Sequence, residues 1–264
     1  MTKTMAGFAA PLLLAEMRDG VKWLRLNRLS SANAINELLQ RELWTELDDA
    51  RRDPGAMAVV LASASARIFS AGADLKEYGD LAPDCARRRR RELLCETLLR
   101  LADFPKPIVA CVTGKAIGAG CMLAFLCDEM AADARASFSF PEIRLGMVSP
   151  FAAAAARHRA GRQAMQAMVL RGEVIDGAAA AAMGLLDIFS TRDVEADAHS
   201  RAVSLGSQNA NAYGRTKAWA NQGVREDLRS GLAESGRLDA LGLLLPPEIR
   251  PASAHEAMPP TRGA

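Results

Sequence analysis

Short apolar runs separated by turn residues dominate the first half of the chain. Leu12 to Ala15 and Val21 to Leu26 flank Asp19-Gly20, a turn pair that predicts an antiparallel hairpin. Leu39, Leu43, Leu47 and Ala50 then recur at helical spacing; Asn36, with Glu37 behind it, caps a helix that runs to about Arg51, where Pro54-Gly55 stops it. Ala58 to Ala62 and Ile108 to Val112 are unbroken apolar runs bounded by turn signals, the pattern of buried strands. Between them Arg67 to Glu77 reads as a loop in which Gly72 allows an unusual backbone angle and Asp74 caps the segment after it. Pro83 to about Asp103 reads as a helix.

The second half alternates in the same way. Short strands are expected around Met130 to Ala132 and Ser137 to Phe140, followed by the Pro141 to Gly146 turn. Alanine-rich helices are expected over Ala152 to Arg157, Gly161 to Leu170 and Asp176 to Met183, with a last strand at Leu185 to Phe189. Glu195 to Leu241 reads as helical. From Leu243 the composition shifts to Pro246-Pro247, Pro251 and Pro259-Pro260, a loosely held tail.

The most distinctive stretch is Pro107 to Asp128. Its strand leads through Gly114 and Gly118-Ala119-Gly120 into Cys121 to Leu126, the first turns of a buried helix. Small residues at such a turn let another group approach the backbone, and the free N–H groups of a helix start favour negative charge. A close packing contact between helix and strand explains the glycines equally well. Their spacing is neither G-x-G-x-x-G nor G-x-x-x-x-G-K-[ST], so no nucleotide-binding fingerprint is present.

With 264 residues, half of them apolar and a quarter charged, the chain can bury a large core. A net charge of +2 is too small to attract nucleic acid or an anionic surface in general. No apolar run is long enough for a membrane span, and Met1 to Ala10 lacks the pattern of a secretory signal, so a cytoplasmic protein is expected. Five cysteines, three of them inside the central apolar stretch, read as reduced, packed thiols. The three histidines are scattered without ligand spacing, and no metal site is expected. Arg87 to Arg91 is a run that goes right round a helix at about 100° per residue, so some of these arginines must lie along the body of the protein or reach an anionic partner.

Three stretches in fixed order, Ser70-Ala-Gly-Ala-Asp-Leu-Lys-Glu77, Gly114-Lys-Ala-Ile-Gly-Ala-Gly-Cys121 with Cys127-Asp128, and Phe138-Ser-Phe-Pro-Glu-Ile-Arg-Leu-Gly146, resemble the enoyl-CoA hydratase/isomerase (crotonase) family. Gly172 to Gly177 and Gly184 to Asp187 add to the likeness. The resemblance implies an α/β fold, a spiral of ββα repeats over residues 1–190 holding an acyl-CoA site. A helical trimerisation region over 191–242 and the Pro-rich tail 243–264 would come after it. It implies a homotrimer or a hexamer acting on acyl-CoA thioesters, with coenzyme A carried by the substrate and no separate cofactor. The backbone N–H groups of Ala73 and Ala119 match the oxyanion donors, and losing one such donor costs ~3 to 4 kcal/mol of barrier. Gly72, Asp74, Lys76, Gly118 and Gly120 fall within the substrate-binding motifs, Lys76 at a position that meets CoA phosphates, while Met122 and Phe151, where the chain departs from its relatives, are expected to line the substrate pocket.

Hydratases of this family commonly use two glutamates. Glu142 matches the second, but the position of the first, two residues after Gly120, holds Met122, and a thioether transfers no proton. One glutamate fits a double-bond shift, in which the same base removes a proton from one carbon and returns it to another. Hydration with a substitute group, another enolate reaction, a catalytically impaired paralogue and an RNA-binding member using Arg87 to Arg91 are the competing readings. The absence of a Gly-x-Ser-x-Gly elbow sets a covalent hydrolase aside.

Overall fold

The computed structural model describes residues 11–79 and 84–244, without the side chains of 78, 79 and 84–86. The chain runs β1 (Leu13–Arg18), β2 (Val21–Leu26), α1 (Glu37–Arg52), β3 (Ala58–Ser63), β4 (Ile68–Ser70), α2 (Leu75–Gly79), α3 (Asp84–Ala102), β5 (Ile108–Val112), β6 (Lys115–Ile117) and α4 (Ala119–Phe125). It continues through β7 (Glu129–Asp133), β8 (Ser137–Ser139), α5 (Pro150–Met165), β9 (Ile175–Asp176), α6 (Gly177–Ala182), β10 (Ile188–Ser190), α7 (Val194–Gly206), α8 (Ala210–Ala220) and α9 (Gln222–Ala240).

Two sheets advance in step. One has the order β1-β2-β3-β5-β7-β10 and the other β4-β6-β8-β9. β3 and β4, β5 and β6, and β7 and β8 thus form successive ββ pairs, each sending one strand to either sheet, where it runs parallel to its counterpart from the next pair: the ββα spiral expected from the resemblance. The opening hairpin pairs Leu13 with Leu26 and Arg18 with Val21 across Asp19-Gly20. Asn36 caps α1, its side chain accepting the Leu39 N–H at 3.0 Å, a contact worth about 1 kcal/mol.

β3 and β5 are buried throughout because both faces of the first sheet are covered. Val59, Leu61, Ile108 and Ala110 share the main core with Leu39, Leu43, Leu47 and Leu98. Trp23, Val60 and Val109 cluster with Val194, Ala198 and Ala202 of α7 on the other side. Each fully buried leucine or valine there contributes ~1.5–3 kcal/mol.

Several elements differ from the sequence reading. Ile68–Ser70 is a strand and not part of a loop, and β6 and β9 are additional strands. Strands of two or three residues carry no periodicity of their own; only pairing with neighbours makes them strands. α4 starts at Ala119, before Cys121. Pro150–Met165 is broken at Ala160 (φ −143°) and Gly161 (φ 73°, ψ −164°) into the two helices expected, and the second passes into a π-turn over Gln166–Leu170. The last strand is shifted to Ile188–Ser190, because Leu185 is buried in the preceding turn and its N–H bonds Ala180 O.

Cys95, Cys111, Cys121 and Cys127 are buried free thiols, held above the ordinary thiol range mainly by burial. The side chain of Cys85, the Met1 to Ala10 segment and the Pro-rich tail from 245 lie outside the described residues. Among the described residues no helix is long and apolar enough to cross a membrane.

Candidate active site

The strands of the second sheet deliver two backbone segments to one place. After β4, Ile35 donates its N–H to Gly72 O at 2.7 Å and accepts the Asp74 N–H at 3.0 Å. Ala73, between those two bonds, therefore directs its own N–H the opposite way. After β6, Gly118 donates to Ser139 O at 2.9 Å, and Ala119 opens α4 with an N–H that has no acceptor inside the helix. Among the described residues, no acceptor stands against either the Ala73 or the Ala119 N–H.

Glycine makes this approach possible. Gly72 has φ +93°, and a Cβ on it would stand 2.8 Å from Ile117 O and 3.4 Å from Ala119 N. Gly118 has φ 52° and ψ −122°, a conformation that other residues avoid.

Glu142 enters from the short 3-10 turn Pro141–Leu145 that comes after β8. Its main-chain O accepts the Met147 N–H at 2.8 Å, and its side chain reaches over Gly118, where an added Cβ would be 3.1 Å from Oε1. Oε2 is buried without a hydrogen-bond partner among the described residues. Burial pushes the carboxyl up to about 6 against an ordinary 4.5, with only a backbone hydrogen bond opposing it.

These groups line one cavity of ≈ 180 Å³. Gly72, Ala73, Gly118, Ala119, Met122, Glu142 and Phe151 all face it. Met122, only 3% exposed, forms part of the cavity wall. Glu142 is the sole carboxylate among the described lining residues, and no histidine accompanies it. Asp74, Lys76 and Gly120 do not line the cavity. Asp74 accepts the Lys76 N–H at 3.1 Å as the cap of α2 and pairs with Arg28 at 2.7 Å. Lys76 is exposed on α2. Gly120 lets α4 press on β4, since a Cβ there would stand 2.5 Å from Ser70 Cβ.

The arginine run turns largely inward. Arg90 bridges Glu37 at 3.0 Å and Glu77 at 2.8 Å, while Arg87 and Arg91 pair with Asp239 of α9 at 3.2 and 2.8 Å. Arg87, Arg91 and Leu94 also line the cavity, as do Ser235 of α9 and Leu244. The spacing of Arg87, Arg91 and Leu94 along one helical face was a signal for the first three. Nothing local marks Ser235, which α9 brings in by packing Gly231 against Pro150 and Phe151. Among the described residues no group of three histidines, cysteines or carboxylates is gathered as a metal site.

The family model of enoyl-CoA hydratase/isomerase matches residues 16–239. The 2,3-dehydroadipyl-CoA hydratase of Escherichia coli (strain K12) is 35% identical over 237 residues, covering 87% of this chain and 89% of that one. An enoyl-CoA hydratase structure from Mycobacterium avium subsp. paratuberculosis superposes with a TM-score of 0.75 at 27% identity, over 90% of this chain and 92% of the other. The apo structure of an Mtb enoyl-CoA isomerase does so with a TM-score of 0.77 at 25% identity, over 85% and 97%. Fold, motifs and relatives agree: the chain belongs to the enoyl-CoA hydratase/isomerase family.

Proposed function

We propose that this enzyme moves the double bond of an enoyl-CoA thioester, with Glu142 as the single acid/base. Both hydratases and an isomerase stand among the relatives, so membership leaves the reaction open. The observation that carries the choice is that Glu142 is alone: the described lining of the cavity offers no second carboxylate, and Met122 takes its place.

The reaction runs through an enolate. Ionised Glu142 takes a proton from the carbon next to the thioester carbonyl of a 3-enoyl group. The C–H electron pair moves into a dienolate, whose oxygen accepts the N–H groups of Ala73 and Ala119. The neutral carboxylic acid then returns the proton to the far end of the dienolate, giving the 2-enoyl thioester with no net change in protons. A carboxyl near 6 is ionised at neutral pH yet basic enough to share the proton. Apolar Met122 keeps water from being activated opposite it.

Exposed Ile143, Leu170 and Val174 support a homotrimer or hexamer, since they supply apolar surface around the Gly172 turn, where a Cβ would meet Ile143 at 3.0 Å. Buried thiols support a cytoplasmic setting. The inward ion pairs of the arginine run weigh against an RNA-binding role.

Incubation with 2-enoyl- and 3-enoyl-CoA, following hydration and double-bond movement separately, tests the reading. Isomerisation without hydration, abolished in Glu142→Ala, is the expected result. Hydration by the wild type at a comparable rate overturns it.

A further inference from the structure

The cavity ends at a seam between two helices. Arg87, Arg91 and Leu94 recur along one face of α3, and Ser235 of α9 stands with them in the cavity lining. Beside that stripe a second groove of ≈ 430 Å³ is lined by Arg88, Arg91 and Glu92 of α3 and by Gly236 and Asp239 of α9. Among the described lining residues, Arg91 is the one that borders both spaces.

The seam is closed in two different ways. Towards the C-terminal end of α3 the helices touch directly, with Cys95 Sγ 3.6 Å from Leu228 O. Towards its N-terminal end charge holds them together. Arg87 Nε and Arg91 Nη1 reach the two carboxylate oxygens of Asp239 at 3.2 and 2.8 Å, with side chains 13%, 10% and 12% exposed. So deep an ion pair adds little net stability over apolar residues of the same bulk. What it supplies is a fixed partition, because hydrogen bonds to both oxygens of one carboxylate hold its orientation.

Volume sets what the near side can hold. An apolar cavity of about 150 Å³ takes a benzene ring, so ≈ 180 Å³ takes a short acyl group and not a long one. With the thioester oxygen at Ala73 and Ala119, the bulky coenzyme leaves past exposed Leu75, Leu145 and Val148, and the acyl chain runs towards buried Met122, Phe151 and Arg91. A longer chain would have to part the guanidinium from Asp239 and lay hydrocarbon between them, leaving each charge unpaired.

We propose that the Arg91–Asp239 pair is the end wall of the acyl pocket and sets its chain-length limit, shutting longer enoyl groups out of the groove between α3 and α9. The proposal rests on the acyl-CoA reading of the site.

The test measures kcat/KM of the full chain for unbranched 3-enoyl-CoA thioesters of four to twelve carbons. In the wild type the value is expected to fall by ~100-fold or more between four and ten carbons. Arg91→Ala with Asp239→Ala removes both charges together and joins the two spaces. Its ten- to four-carbon ratio should rise by ~10-fold or more, since each methylene newly taken from water is worth a factor of about four. Asp239→Asn, which keeps the bulk and weakens the pair, should raise the ratio by less. A wild type that accepts ten carbons as well as four overturns the proposal. So does a uniform loss at every length with the ratio unmoved in the folded variants, which would make the pair a helix clasp and nothing more. If the wild type turns over no length at all, the enolate reading fails instead. Calorimetry with butanoyl-CoA against decanoyl-CoA then decides the limit by itself: tighter butanoyl-CoA supports it, and equal affinities overturn it.

Discussion

The carboxylate of Glu142 and the bare Cα of Gly118 fit against each other: a methyl group on Gly118 would stand 3.1 Å from Oε1. The same glycine, at φ 52° and ψ −122°, sets the direction of the Ala119 N–H. On the proposed mechanism, Gly118→Ala disturbs both the base and one oxyanion donor. We expect kcat/KM to fall by ~10²-fold or more, while strain at that backbone angle costs about 1–3 kcal/mol of stability. Steady-state kinetics beside thermal unfolding separates the two, and activity within a few-fold of wild type would contradict the site geometry.

Glu142 should also impose a pH profile. Its carboxyl must be ionised to act as base, so kcat/KM is expected to drop as pH falls through about 6. Glu142→Gln should lower the rate by ~10²- to 10⁴-fold and remove that limb. A pH-independent wild-type rate between pH 5 and 8 would rule the assignment out.

Stability responds with the opposite sign to that of a salt-bridged carboxylate. The folded carboxyl titrates near 6 and the free group near 4.5, so the folded state is favoured while the proton stays on. That advantage is complete below about pH 4.5 and is lost as pH rises through about 6, amounting to about 2 kcal/mol. Relative to wild type, Glu142→Gln should therefore gain about 2 kcal/mol more stability at pH 8 than at pH 4. Chemical denaturation at the two pH values measures this directly; equal differences would mean that the carboxyl is not desolvated.

Met122→Glu is expected to introduce hydration of 2-enoyl-CoA, because it restores a second carboxyl to the same cavity wall. The new charge should push one of the two carboxyls further up and cost stability, as Met122 is only 3% exposed. Chromatography of the 3-hydroxyacyl product is the readout. A folded variant that still only isomerises would show that something besides the missing carboxylate blocks water.

Away from the site, Lys217 reaches Asp128 at 2.7 Å with side chains 6% and 13% exposed, and Asp128 also accepts the Ile108 N–H at 2.7 Å. Lys217→Met leaves that carboxylate without its cation and should cost about 3–5 kcal/mol. A urea midpoint close to that of wild type would show the pair to be well solvated.

Much of this protein is legible along the chain. The Asp19-Gly20 hairpin, the Asn36 cap and the Leu39, Leu43, Leu47 stripe depend on interactions within a few residues, so local chemistry settles them. Ala73, Ala119, Met122 and Glu142, singled out along the chain through the motifs that resemble the family, do line one cavity. The sequence determined which groups are available for chemistry and that a second glutamate is missing.

Tertiary structure decided the rest. β4, β6 and β9 exist only through pairing with strands far along the chain, and no local pattern announces them. Asp74 matches the binding motif, yet its capping bond and its pairing with Arg28 hold it outside the cavity. Arg91 and Ser235 come from helices well separated in sequence and meet on one wall only because α9 packs against α3 and α5. The physical reason is that burial and charge pairing are properties of surroundings: whether an arginine is solvated or paired with Asp239 depends on what the fold places beside it.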